Sequence, residues 1–366
     1  MDILIQAARI GADAAALRQA AEAVTDWEAV MGQAARHGLL PLLYSRLRQH
    51  CPDAVPAGVS EDLRKAFLAN AARNMMMTAE LKAVMGWLEA GDVPAIAYKG
   101  PTLAAWAYGD IALREFCDLD ILVRPSDKDR AISTLVANGC VPTRAAGAAE
   151  LSGNCEIGLA TPGGCDVDLH WAISPPYFAT IDTTAWWGRA HRVETAGVLL
   201  PTFAADDMFA CLATHAARHC WSSLGLGCDV ANLVRVAPIH WDVLNADRRT
   251  RRIFHVALLL SAELLSAPVP PEVIAKARRD TVAANVARQI EHNLFTEDGD
   301  IAGRPAGAMM QLRMAGTLRD KARYVWRRAL EANQTDNDFL PLPPRLKPLL
   351  HVIRPFRVVA KILRQG

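Results

Sequence analysis

Two short stretches, CDLDILV at 117–123 and CDVDLHW at 165–171, set carboxylates two residues apart inside otherwise apolar runs. That alternation fits a β-strand, in which residues i and i+2 share a face and the residue between them points the other way. Asp118 and Asp120 then share one side of the first strand, with Leu119 and Ile121 turned into a core. In the second, Asp166, Asp168 and His170 share a face opposite Val167 and Leu169. Burying an unpaired carboxylate is costly, so each acid must meet a cation, find hydrogen-bond donors or sit at a solvent-accessible cleft.

The rest of the chain falls into place around these strands. Residues 1–92 read as helices, with Trp27, Val30, Met31 and Ala34 at helical spacing after a Thr25 cap. Ser60 is expected to cap a longer helix through Leu63, Phe67, Ala71 and Met75, with Gly91 as a left-handed stop. VPAIAYK then reads as a short strand, GPTLAAWAY as a helix start, and Ser126-x-x-Asp129 as a capping box. Pro162-Gly163-Gly164 joins two strand-like runs in a hairpin, and RAHRVETAGVLLP suggests a second one. From Thr202 onward the helical spacing returns, which divides the chain into 1–92, 93–200 and 201–366.

Charge narrows the function classes. With 40 Lys+Arg against 39 Asp+Glu, the chain is not built to hold bulk nucleic acid by electrostatics alone. The end is different: residues 313–366 hold twelve basic and four acidic residues and include LPLPPRLKPLL and RPFRVVAKILR. This basic tail is expected to coat an interdomain surface or meet an acidic partner, with RNA as a less favoured one. The acidic start lacks the basic-then-apolar signature of a secretory signal, and the apolar run 254–269 is broken by Glu263, so no membrane span is expected. Eight scattered cysteines without a Cys-x-x-Cys pair suit reduced thiols in the cytoplasm.

If the two aspartate strands are neighbours in one sheet, at least three carboxylates converge. Such a cluster repels itself unless divalent cations neutralise it, and hard oxygen ligands suit Mg²⁺ or Mn²⁺. Paired ions of this kind clamp the attacking and leaving oxygens in phosphoryl or nucleotidyl displacement. An Asp-x-Asp also occurs at ordinary exposed strand ends, so its surroundings carry the argument. Lys99-Gly100 at a strand-to-helix junction offers backbone N–H groups to a phosphate, Thr102 adds a hydroxyl, and Lys99 and Arg114 add positive charge. The plainer readings are a helix start with Pro101 in its first turn and an Arg114 paired with Asp110 or Glu115.

Lys99-Gly100, Tyr108, Arg114, DLDILV and the later Asp168-Leu169-His170-Trp171 together resemble the uncharacterised bacterial nucleotidyltransferase family of the DNA polymerase beta-like superfamily. His215 and His219 on a following helix and the basic, proline-containing end resemble it too. The resemblance implies an α+β fold: a small mixed β-sheet core flanked by N-terminal and C-terminal helical domains. It implies that Asp118, Asp120 and Asp168 are catalytic and bind the metal, Mg²⁺ or Mn²⁺. Lys99, Gly100, Thr102 and Arg114 would bind the nucleoside triphosphate. The superfamily usually has Gly-Ser at the first turn where this chain has Lys-Gly, and Lys99 would substitute electrostatically.

The remaining candidates are an acceptor-side or supporting set: His170, His215, His219 and Asp229, the last orienting a histidine. Cys211, His215 and His219 also fall on one helical stripe that could bind zinc, although no second pair completes four ligands. Trp171, Trp186 and Trp187 could stack a base, with half-buried core as the plainer role. The expected activity is Mg²⁺-dependent transfer of a nucleoside monophosphate to an unidentified hydroxyl or phosphate acceptor: a small molecule, peptide, protein or, less favoured, RNA. Rival readings are a nucleotide-sensing module on a degenerate transferase fold and a metal-dependent phosphohydrolase.

Overall fold

Helices α1 (Asp2–Ala8), α2 (Ala14–Glu22), α3 (Trp27–Arg36), α4 (Leu40–His50) and α5 (Ala57–Ala90) come first. The computed structural model describes residues 2–143, 155–175, 178–179, 181–296 and 305–330, with single positions 340, 349, 353 and 354. The proline-containing basic end after residue 330 therefore lies almost wholly outside the described residues.

Local chemistry shifts three of the expected boundaries. Asp26, not Thr25, caps α3 through its carboxylate. Helix α5 starts a turn before Ser60, because Ser60 N–H already donates to the Pro56 carbonyl and Pro56 blocks any further extension. At its other end Gly91 keeps φ at −84°, and the left-handed residue is Asp92 at φ +55°. Aspartate tolerates that region better than most side chains.

Five strands form one sheet: β1 (Ala95–Ala97), β2 (Asp118–Val123), β3 (Val141–Pro142), β4 (Glu156–Ala160) and β5 (Asp166–His170), in the order β1-β2-β5-β4-β3. The β2 and β5 strands run parallel and the other neighbours antiparallel, so the sheet is mixed, as expected. Between β1 and β2 the chain makes α6 (Gly100–Leu103), which widens into a π-turn over Ala104–Tyr108. Helix α7 (Lys128–Ala137) follows β2, and a separate hairpin pairs β6 (His191–Thr195) with β7 (Val198–Thr202). The later helices are α8 (Ala205–Arg218), α9 (Leu224–Val236), α10 (Arg248–Leu259), α11 (Pro271–Arg279), α12 (Thr281–Asn293), α13 (Pro305–Met314) and α14 (Leu318–Leu330).

The two faces of the sheet have different fates. Leu119, Ile121, Val123, Val167 and Leu169 join Val84 and Leu88 of α5 and Leu135 of α7 in one core. On the opposite face Ile96, Tyr98 and Leu122 enter a larger core with Leu43 of α4, Phe209 of α8 and Phe254 of α10. Helices from both ends of the chain thus close over the side of the sheet that carries the aspartates. That alternation produces the α+β fold read from the sequence.

Candidate active site

The parallel register sets Asp118 beside Asp166, Asp120 beside Asp168 and Leu122 beside His170. Strand β1 returns antiparallel on the other side of β2, with Tyr98 N–H donating to the Asp120 carbonyl at 3.3 Å. Lys99 follows at once, and its Nζ reaches Asp120 Oδ1 at 2.6 Å. Gly100 makes the turn at φ +51°, where a β-carbon would stand 3.3 Å from the Asp118 carbonyl oxygen. Only glycine fills that position without strain.

Charges alternate outward from this pair. Asp120 Oδ1 also lies 3.2 Å from His170 Nε2, His170 Nδ1 lies 3.2 Å from Glu156 Oε2, and Arg218 Nη1 approaches the same oxygen at 3.8 Å. Burial alone would raise the Asp120 carboxyl, but Lys99 and His170 overcome it and hold the group far below the usual carboxylate range. Burial likewise opposes the charged forms of Lys99 and His170, and their carboxylate neighbours win, so both are raised. Glu156, also against burial, is drawn down to about 2 by His170 and Arg218.

The neighbouring acids go the other way. Asp118 is raised by burial and by repulsion from Asp120, and Asp168 is pushed up to about 6, chiefly by burial. Lys99 and His170 neutralise Asp120 and leave its neighbours undercompensated. The second oxygen of Asp120, Oδ2, is buried with no hydrogen-bond partner. Among the described residues no three His, Cys, Asp or Glu side chains are gathered tightly enough to hold a metal ion. The donor chemistry nevertheless fits a hard divalent cation: carboxylate oxygens only, an excess of negative charge, and a bare ionised oxygen on Asp120.

Asp118, Asp120 and Lys99 line a cavity of about 350 Å³ whose walls come from widely separated segments. The α3–α4 corner supplies His37, Gly38 and Leu39, the segment before β2 supplies Arg114 and Glu115, and Ser222, Ser223, Gly225 and Leu226 close the far side. Asp168 is not among the lining residues. His37 clamps the corner to the start of α9: its Nδ1 accepts from Leu224 N–H at 3.1 Å and its carbonyl accepts from Ser223 Oγ at 2.8 Å. Burial, aided by Arg36, holds His37 down to about 4.

Arg114 is committed to Asp229 rather than to Asp110 or Glu115. Its Nε and Nη2 donate to the two Asp229 oxygens at 2.8 Å each, and Tyr108 Oη donates to Asp229 Oδ1 at 2.7 Å. Asp229 therefore orients Arg114 and Tyr108 and not the histidine expected from the sequence. The loop bearing Arg114 is tied to α5, where Asn74 Nδ2 donates to the Ile111 and Arg114 carbonyls at 2.6 and 2.8 Å. Thr102 is fully buried, and its hydroxyl has no hydrogen-bond partner and no place in the cavity lining.

On α8, His215 Nδ1 stands 3.4 Å from Lys99 Nζ. Burial and then Lys99 push His215 well below its ordinary value, so the neutral ring accepts from the ammonium through Nδ1. Its ring lies 4.7 Å from that of His219, and both line the cavity. Cys211, one turn earlier, is buried, and burial pushes its thiol up to about 12. Trp186 packs on Phe203, while Trp171 and Trp187 lie beneath Lys128 and Arg124, and none of the three lines the cavity.

Three contributors went unread in the sequence: Glu156, Arg218 and His37. The hairpin turn at 162–164 fixes a register that sets Glu156 opposite His170, so counting back from the turn finds it. Arg218 sits three residues after His215 and shares its side of α8. No local pattern marks His37, whose partners lie 186 and 187 residues away.

Comparison with known proteins gives the geometry a relative. The family described as an uncharacterised nucleotidyltransferase matches residues 23–266, which covers the long helix, the sheet and the helices that close the cavity. No curated protein matches the sequence. A solution structure of the antibiotic-resistance factor ANT(2'')-Ia is similar over 60% of this chain and 96% of that one, at 10% identity and a TM-score of 0.29, a likeness too slight to build on. The family match alone spans well over half of the chain, and on it the chain belongs to the uncharacterised nucleotidyltransferase family, enzymes of nucleotidyl transfer.

Proposed function

We propose that the protein moves a nucleoside monophosphate from a nucleoside triphosphate, ATP being the first to try, to a hydroxyl or phosphate acceptor, with release of pyrophosphate. The observation that carries this reading is Asp120: a carboxylate kept ionised by Lys99, with Oδ2 bare, at the wall of the cavity. Asp118, Asp120 and Asp168 would hold Mg²⁺ or Mn²⁺, which when bound supplies Lewis-acid charge to the phosphoryl oxygens.

The protein's own side chains do the rest. Lys99 and Gly100 meet the triphosphate at the turn after β1, where the ammonium offsets charge building on the phosphoryl oxygens. Arg114 lines the cavity, and its Nη1 has no hydrogen-bond partner while Asp229 fixes the rest of its fork. Neutral His215 and its neighbour His219 stand where an acceptor would enter, and His170 backs Asp120. Residues 93–200 carry the chemistry, and the helices of 1–92 and 201–366 frame the acceptor. The eight cysteines, none in a disulfide, favour the cytoplasm as its place of work.

Triphosphates labelled on the α-phosphate, incubated with the protein, Mg²⁺ and fractionated cell extract, test the reading. Label moving to an acceptor with pyrophosphate released supports transfer. Free phosphate in place of pyrophosphate would mean a hydrolase, and tight binding without turnover a sensor.

A further inference from the structure

Helix α14, Leu318–Leu330, lies beyond the residues the family accounts for and wears its apolar side outward. Leu318, Val325 and Trp326 are 83%, 50% and 68% exposed, and Ala322 between them is exposed as well. Spacings of three and four residues put these positions on a single stripe. Exposed Arg319 and Lys321 flank it on either side. The orientation is fixed by the opposite face, where Tyr324 is buried with the Arg249 guanidinium 5.4 Å from its ring centroid. Asp320 is spent on the helix start: its Oδ2 accepts from the Thr317 N–H at 3.0 Å and from the Thr317 hydroxyl at 2.7 Å.

We propose that α14 is a docking face for an anionic lipid surface, with the Leu318–Val325–Trp326 stripe entering the interface and the basic residues meeting the headgroups. A helix with an apolar face, basic flanks and an outward tryptophan has the composition of one that lies in a membrane interface. Charge complementarity chooses the lipid. Apart from Asp320 the helix sequence is uniformly basic, with Arg319, Lys321, Arg323, Arg327 and Arg328. After an acidic stretch with Glu331, Asp336 and Asp338, residues 339–366 carry six Lys and Arg, no acidic residue, and apolar residues between them. That sequence suits a surface uniform in charge and fluid in shape better than the discrete sites of an acidic protein. Docking of this kind is peripheral, and no helix among the described residues is long and apolar enough to cross a membrane.

The test is sedimentation of the full chain with phosphatidylcholine vesicles, with and without phosphatidylglycerol, at low and raised salt. The expected result is binding that needs phosphatidylglycerol, weakens with salt, and falls by at least about tenfold in Val325→Glu/Trp326→Glu. Leu318→Glu, at the most exposed position, gives a second variant, and circular dichroism checks that both stay folded. The proposal fails if the wild type stays in the supernatant, if neutral vesicles bind it equally, or if both variants still bind as the wild type does. It is also overturned if polyglutamate captures the chain through the same residues, which would mean an acidic protein partner. A lipid-independent dimer dissolved by the same substitutions would assign the stripe to a second copy of this chain.

Discussion

Lys99 Nζ stands 2.6 Å from Asp120 Oδ1, and both side chains are almost fully buried. The ammonium leaves the carboxylate ionised and one of its oxygens bare. Lys99 thus has a partner within the fold before any phosphate arrives, and its removal leaves Asp120 with His170 alone.

Lys99→Met should lower stability by about 3 kcal/mol, since removing one side of the buried pair leaves only His170 against the Asp120 charge. Lys99→Met/Asp120→Leu should recover most of that loss. Urea unfolding of the two variants checks it, and a single variant as stable as the wild type would count against the pairing.

Asp120→Asn and Asp168→Asn should each lower transfer by at least about 100-fold, because each removes charge that a cation needs. They should part company in stability. Folded Asp168 titrates at about 6, against 3.8 for the ordinary group, so between those values the folded form keeps a proton that the unfolded form has lost. Its contribution is favourable at low pH and is lost as pH rises through 6, costing up to about 2 kcal/mol after solvent screening. Without divalent ions, Asp168→Asn should be more stable than the wild type at pH 8, with the difference shrinking toward pH 4.

Gly100→Ala should cost about 1–2 kcal/mol through its left-handed backbone alone. The new methyl group would also press on the Asp118 carbonyl and displace Lys99. Nucleotide affinity should therefore fall along with the unfolding midpoint, and a variant with unchanged affinity would detach the turn from phosphate binding.

His37 is held at about 4 in the fold, below the ordinary 6.5. A depressed value gives stability that is whole above about 6.5 and is lost as pH falls toward 4, at most about 3 kcal/mol. Protonation would occupy Nδ1, the atom that accepts from Leu224. His37→Asn keeps an acceptor there and should flatten the acid side of the stability profile, measured as the urea midpoint between pH 7 and pH 4.5.

The sheet was legible because a period of two with acids on one face and Leu, Ile or Val on the other admits few alternatives. The hairpin followed from Pro162-Gly163-Gly164, while the β4–β5 register that sets Glu156 against His170 went unread. The pairings made by tertiary closure were not legible. Arg114 meets Asp229 across 115 residues of chain, and Lys99 finds His215 across 116. Those choices depend on how α8 and α9 seat on the sheet, and no local spacing encodes that. One helix start shifted on a local choice: Asp26 and Thr25 are both capping residue types, and it is the Asp26 carboxylate that accepts from the Ala29 N–H.

The shared core has a practical consequence for anyone trimming this protein. Ile96, Tyr98 and Leu122 are covered by helices from before and after the sheet. A fragment expressed as residues 93–200 would keep Asp118, Asp120 and Asp168, yet it would bare that apolar side to water and stick to its own copies. A working minimal enzyme must instead keep the helices on both sides of the sheet that share this core, α1 to α5 and α8 to α12.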